Sequence, residues 1–355
     1  MACEVRSVRF AALSLLTIVS LACTPPAGES TKSTASAEPT RRDVETRADP
    51  APAEDGDTKP SDTAPFAARP EVIEMAVTFD DLPGSPEAAK RILSVLEAHQ
   101  MPPTYGFVNG IQVERTPERA QVLRDWVAAG HGLGNHSYTH PTMSEVGVEA
   151  FTADIDANTS FLAEFEPAAA GPAGAKPSAK YFRYPFLAQG FDADSTRAVR
   201  THLLDTGHTI AEVSIDFGDW AWQPVYERCQ RIGSAEAERS IEKLAGAYLQ
   251  TAWVFLGWAE EAGRRAAGRP IPHVLLLHST DFTARVLDDL LTAYEKQGVR
   301  WVPLDKVLSD EFYATHEPPP KTAGDSILEQ KIRNEGADHP PWVQQPLSLL
   351  DAICR

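Results

Sequence analysis

Two histidines four residues apart, His136 and His140, can present two imidazoles to one ion, and Asp81 can add a carboxylate. Two His and one Asp leave open coordination positions, the donor set of a catalytic zinc-type site, and water on such an ion has a lowered pKa. Asp80 is then free to act as a general base. Adjacent residues on a regular strand point to opposite faces, so Asp80 and Asp81 reach one site only if their strand ends there. His278 can serve as the acid for a leaving group. Arg183 can pair with Asp80 as a carboxylate, and Asp219 can raise the pKa of His278, which holds base and acid in opposite protonation states. Leu276 shares the face of His278 by the two-residue period and can line the same pocket.

Singly, these signals are weak. A chain with 10 histidines can carry His-x-x-x-His by chance, and the pair Asp288-Asp289 sits in a helical pattern where it reads as a solvated face. The force of the pattern lies in position. Seven short apolar runs read as strands: Val72–Phe79, Thr104–Val108, Gly132–Asn135, Lys180–Tyr184, Ile210–Ile215, His273–Leu277 and Arg300–Val302. The first ends in Asp80-Asp81, the third in His136 to His140, and the fourth runs through Arg183 to Phe186. The fifth is followed by Asp216 to Trp220, and the sixth by His278. Helical patterns separate the runs. That alternation predicts a parallel barrel or a doubly wound sheet, whose sites lie at the carboxyl ends of the strands.

Ser85-Pro86 is an N-cap followed by an N1 proline, and it starts a helix carrying Ile92, Leu93 and Leu96 on one face. Further helical patterns run from Thr116-Pro117 to Gly130, Ser144–Phe165, Asp194–Leu204, Ser234–Ala267, Thr283–Gln297 and Asp305–Phe312. The segment 221–270 is longer than a single crossover needs and reads as a helical excursion. Its Trp222, Trp253 and Trp258 read as packing residues, with a sugar platform at Trp222 as the alternative. His131 and His273 read as structural.

Outside the folded region the chain has a different character. Arg6 and Arg9 precede an apolar run from Phe10 to Ala22, which ends at Cys23. This is the form of an export signal, too short to cross a bilayer, with a lipoprotein-type cysteine. Ser20 stands where such signals usually carry Leu, so plain secretion is the alternative. Residues 23–70 are rich in Pro, Ala, Thr and acidic residues and read as an extended tether. The expected organisation is therefore signal 1–22, tether 23–70, one folded domain 71–312 and a Pro-rich, weakly patterned tail 313–355. Cys229 and Cys354 are left as an even pair for an oxidising compartment, either bridged or as two free thiols.

The formal charge of −17, from 33 basic and 50 acidic residues, excludes nucleic acid as a partner and disfavours anionic membranes. Any membrane contact is expected only through a lipid on Cys23, and a monomer is expected.

These residues, in this order, resemble the polysaccharide deacetylases of the NodB-homology type (carbohydrate esterase family 4), over about Val72 to Asp310. The resemblance implies a distorted (β/α)₇ barrel and a metal-dependent hydrolysis of N-acetyl, or alternatively O-acetyl, groups on a glycan. It assigns Asp80 as base, with Asp81, His136 and His140 as ligands of a divalent metal, zinc before cobalt or nickel. Arg183 orients the base, Asp219 partners the acid His278, Trp220 lines the groove, and Phe186 supplies an oxyanion-hole N–H. Three departures bear on substrate. Leu82 replaces a usual Gly and can reshape the groove floor, Phe186 lacks a Tyr hydroxyl, and the 221–270 excursion can wall off one end of the groove. The competing readings are a same-fold amidohydrolase acting on a small cyclic amide or imide and a non-catalytic glycan-binding lipoprotein.

Overall fold

The computed structural model describes residues 72–165, 180–190, 192–314 and 324–355; the signal and tether readings over 1–70 lie outside them. Seven parallel strands form one sheet: β1 (Ile73–Leu82), β2 (Tyr105–Val108), β3 (Gly132–Asn135), β4 (Lys180–Phe182), β5 (His208–Ile210), β6 (His273–His278) and β7 (Val299–Trp301). Their order is β5-β4-β3-β2-β1-β6, with β7 paired to the start of β1. β1 is buried along almost its whole length, as expected for a parallel strand covered on both faces.

The run expected as one strand, Ile210–Ile215, does two jobs. Its beginning, β5, pairs with β4, and Ala211 N–H donates to Phe182 O (2.7 Å). Its end crosses to β6, where Ile215 N–H donates to Val274 O and Leu276 N–H donates to Ile215 O, both at 3.0 Å. Changing partners midway interrupts the strand, and the crossing curls the sheet into a distorted seven-stranded α/β barrel.

Helices cover the sheet. Ser85 caps Pro86–Ala98 by accepting from Ala88 N–H (3.1 Å), and the helix buries Ile92 and Leu96. The helix expected over Ser144–Phe165 is broken by Gly147 (φ +80°) into Met143–Val146 and Val148–Leu162. The excursion is two helices, Gln223–Ile232 and Ala235–Ala267. The second lays Leu244, Tyr248 and Ala252 into the main core, where Trp222 is also wholly buried. Burial leaves no platform at Trp222 for a sugar. No helix among the described residues is long and apolar enough to cross a membrane.

The tail differs from expectation. Ser326 and Glu329 form a reciprocal capping box that starts the helix Ile327–Glu335, and a second helix spans Leu347–Ala352. Cys229 and Cys354 are joined in a disulfide. The capping signal was present in the sequence, but its Pro-rich surroundings obscured it.

Candidate active site

β1 does not end at the aspartate pair. Its pairing with β2 shifts between Phe79 and Leu82, and Asp81 adopts φ +63°. This bulge turns the Asp81 carboxylate to the same side as that of Asp80, which a regular strand would forbid. Left-handed backbone at a non-glycine residue is strained and is common at functional sites.

The next two groups come from the loop after β3. His136 continues the β3 ladder, its N–H donating to Val108 O (3.1 Å), while Ser137 and His140 take φ +61° and +62°. A buried amide network holds this loop. Asn109 Nδ2 donates to His136 O (2.7 Å), Asn158 Nδ2 donates to Asn135 Oδ1 (2.9 Å), and Ser137 N–H donates to the same Asn135 oxygen (2.8 Å). Asp154 accepts from the N–H groups of Tyr138 (2.8 Å) and Thr139 (2.9 Å). None of these four supporting residues was found from sequence. The available signal was an Asn and an Asp inside an otherwise apolar helical stripe.

Asp81, His136 and His140 bring their donor atoms within 4.8 Å of one another. Asp81 Oδ1 lies 3.6 Å from His140 Nε2 and 3.9 Å from His136 Nε2. His136 Nδ1 is hydrogen-bonded to Arg183 O (2.9 Å), which aims Nε2 at the shared point. Burial pushes this imidazole down to about 3, so it stays neutral as a ligand must. Two imidazoles and a carboxylate with a fixed tautomer fit a divalent metal with open positions.

Asp80 is buried beside this set, its Oδ2 3.5 Å from His136 Nε2. Arg183, also buried, donates from Nη1 to Asp80 Oδ1 (2.7 Å) and to Thr78 Oγ1 (2.8 Å), and from Nε to Ala211 O (3.0 Å). Its guanidinium lies 4.1 Å from the Phe107 ring centroid. His278 is the register partner of Asp80 across the β1–β6 ladder. Its Nδ1 and backbone N–H contact the two oxygens of buried Asp219 at 2.7 and 2.8 Å, and Thr283 Oγ1 also donates to Asp219 (2.9 Å). Burial opposes a charge on His278, yet the Asp219 carboxylate outweighs it and raises the imidazole to about 10. The site therefore holds a carboxylate oriented by an arginine opposite an imidazolium stabilised by an aspartate.

These groups open on a cavity of about 460 Å³ lined by Asp80, Asp81, His136, His140, Phe186, Trp220, Leu276 and His278. Arg183 and Asp219 stand behind it. Phe186 (φ +57°) and Trp220 are 59% and 52% exposed, so aromatic faces remain open at the rim. Leu82 is wholly buried against Gly106 and is not part of the cavity floor. No lining residue comes from 221–270; the C-terminal segment supplies Gly324 and Gln345 instead. Asp216 also lines the cavity. Burial raises its carboxyl to about 6, against the hydrogen bond it accepts from Gly218 N–H (2.7 Å).

Residues 68–209 match the family model described as polysaccharide deacetylase. A chitooligosaccharide deacetylase of Sinorhizobium fredii is 41% identical over 71 residues, which is 20% of this chain and 31% of that protein. A peptidoglycan-N-acetylglucosamine deacetylase of Bacillus cereus is 33% identical over 82 residues, 23% of this chain and 28% of that protein. The chain thus spans about a third of the length of these curated relatives. Among solved structures, a CE4 family pseudoenzyme from Bacillus anthracis shares 18% identity at a TM-score of 0.46, covering 68% of this chain and 67% of that one. Residues 68–209, which hold Asp80, Asp81, His136, His140, Arg183 and Phe186, thus carry the similarity to the polysaccharide deacetylase family.

Proposed function

We propose that this protein is a metal-dependent carbohydrate deacetylase that hydrolyses N-acetyl groups of a glycan. One observation carries the reading: a His/His/Asp donor set opens on a single cavity with a buried carboxylate and an imidazolium on neighbouring strand ends. Asp81, His136 and His140 would hold the divalent ion, zinc before cobalt or nickel, because two imidazoles and a carboxylate with open positions are the donor set of catalytic zinc. When bound, such an ion supplies Lewis acidity and makes water a better nucleophile at neutral pH. Asp80, oriented by Arg183, removes a proton from the attacking water. The Phe186 N–H stabilises negative charge that develops on the acetyl oxygen. His278 then delivers its proton to the departing nitrogen, which would otherwise be a poor leaving group. The C–N bond breaks, and acetate and a free amine are released. The names of the two deacetylase relatives support a glycan as substrate.

Residues 1–23 complete the proposal as an export signal with a lipidated cysteine, and a disulfide at Cys229–Cys354 supports an oxidising compartment. Mass spectrometry of the mature N-terminus tests this part: unmodified Cys23 retained behind an intact leader overturns it.

The activity is tested by acetate release from zinc-loaded protein on a panel of chitin oligomers, peptidoglycan and acetylated xylan, with metal content measured alongside. Release from at least one glycan is expected. No acetate from any of them overturns the reading, and failure to retain zinc overturns the metal assignment.

A further inference from the structure

The C-terminal segment reaches the cavity at two places. Gly324 lies beside the Phe186 carbonyl, close enough that a Cβ there would sit 3.5 Å from it, and Ile327 N–H donates to Val213 O (2.8 Å) nearby. Gln345 lies directly on Gly218. A Cβ at that glycine, which holds φ +67°, would come within 2.0 Å of Gln345 Nε2. The position is thus made for a residue without a side chain, with the glutamine amide in the space.

Gln345 is pinned from both sides. Three residues before it, Trp342 packs on Trp258 with ring centroids 5.3 Å apart. Beyond it, Leu350 is buried, Arg228 Nη2 donates to Leu350 O (3.1 Å) and Ile353 O (3.2 Å), and Cys354 is covalently tied to Cys229. The side-chain amide itself hydrogen-bonds to none of the described residues, although it lines the cavity. An amide offers two donors and an acceptor. Here the flanking chain is held and the amide is unused, so a ligand that takes it bears little of the cost of ordering the segment.

We propose that Gln345 is a substrate-binding residue, taking a neutral hydroxyl or acetamido group of the glycan, and that the Cys229–Cys354 bridge keeps it on the cavity wall. The proposal rests on the deacetylase reading above, but it concerns a segment beyond residues 68–209, where the family match lies.

Steady-state acetate release by the full-length, zinc-loaded protein on N-acetylglucosamine oligomers tests it. Gln345→Ala should raise KM about five- to tenfold, the worth of a neutral hydrogen bond or slightly more, with kcat and melting temperature held. Gln345→Glu should shift preference toward partly deacetylated oligomers, whose free amines are cationic; a purely structural role would not produce that shift. Cys354→Ser should reproduce the rise in KM and add nothing in the Gln345→Ala background. An unchanged KM in Gln345→Ala, an unchanged preference in Gln345→Glu, or additive effects in the double variant overturns the proposal while leaving the deacetylase reading intact. Wild-type protein that releases no acetate from any glycan rejects the deacetylase reading itself.

Discussion

The two walls of the cavity are built differently. One carries Asp80, Asp81, His136 and His140, and its supports, Asp154 and the Asn109–Asn135–Asn158 network, lie within the same stretch of chain. The other carries Trp220, Leu276, His278 and Gln345, with Asp219 behind His278, and it is assembled from a partner-switching strand, β6 and a C-terminal segment tied to Cys229. The first wall coincides with the family match over 68–209, and the second lies beyond it. Locally supported chemistry on one side thus faces a rim brought in from distant sequence. The first wall, together with the Asp219–His278 pair of the second, is suited to hold the reaction constant, and the rest of the second, Trp220, Leu276 and Gln345, can vary with the substrate.

The comparison can be broken most sharply at Asp80. Asp80→Asn should lower acetate release by about 10²–10⁴-fold, the usual worth of a general base, while zinc content stays full. Unaffected turnover would remove the base from this wall.

Asp219→Asn should cost about 10²-fold in kcat and leave zinc affinity unchanged. It should also move the alkaline limb of the kcat profile to lower pH, because burial then meets only the weaker attraction of Asp81 and Asp80 at His278, whose pKa falls from about 10. The sign for stability follows. In the wild type the folded imidazole titrates above its ordinary 6.5, so the pair stabilises fully below 6.5 and loses that contribution as pH rises toward about 10. Thermal melts across that window should decline in the wild type and flatten in the variant. A wild-type profile with no such decline would count against the pairing.

Asp154→Ala releases the loop bearing His136 and His140. Loss of such an outer support commonly costs about 10–100-fold in metal affinity, measurable by competition with a chelator. Equal losses of zinc affinity in Asp154→Ala and Asp219→Asn would erase the distinction between the walls.

The smallest effect on turnover is expected from Cys229→Ser. Opening a loop of 125 residues should lower stability by about 2–5 kcal/mol in a denaturant titration, with kcat and zinc affinity kept within about twofold. A fall in zinc affinity would mean that the walls are coupled.

Much of the first wall was legible because strand ends in parallel α/β folds collect chemistry, and five of the seven apolar runs closed on titratable groups. Asp81 was legible as a ligand, but its geometry was not: a positive φ in mid-strand leaves no trace in hydrophobic periodicity. Ile210–Ile215 reads as one strand because alternation records burial and says nothing of which neighbour a strand pairs with. Asp154, Asn109, Asn135 and Asn158 act through tertiary hydrogen bonds, which have no sequence period. The excursion was expected to wall the groove because it is adjacent in sequence to Asp219 and Trp220. It packs into the core instead, and Gln345, from the far end of the chain, occupies the rim.

The pairing of Asp80 with His278 has a last consequence. They are register partners on adjacent strands of one parallel ladder, so the separation of their backbones is set by the sheet repeat of about 4.8 Å. Engineering that exchanges rim residues to accept a new sugar should leave that spacing alone. On the proposed mechanism, Asp80 and His278 form a fixed cartridge behind an exchangeable rim.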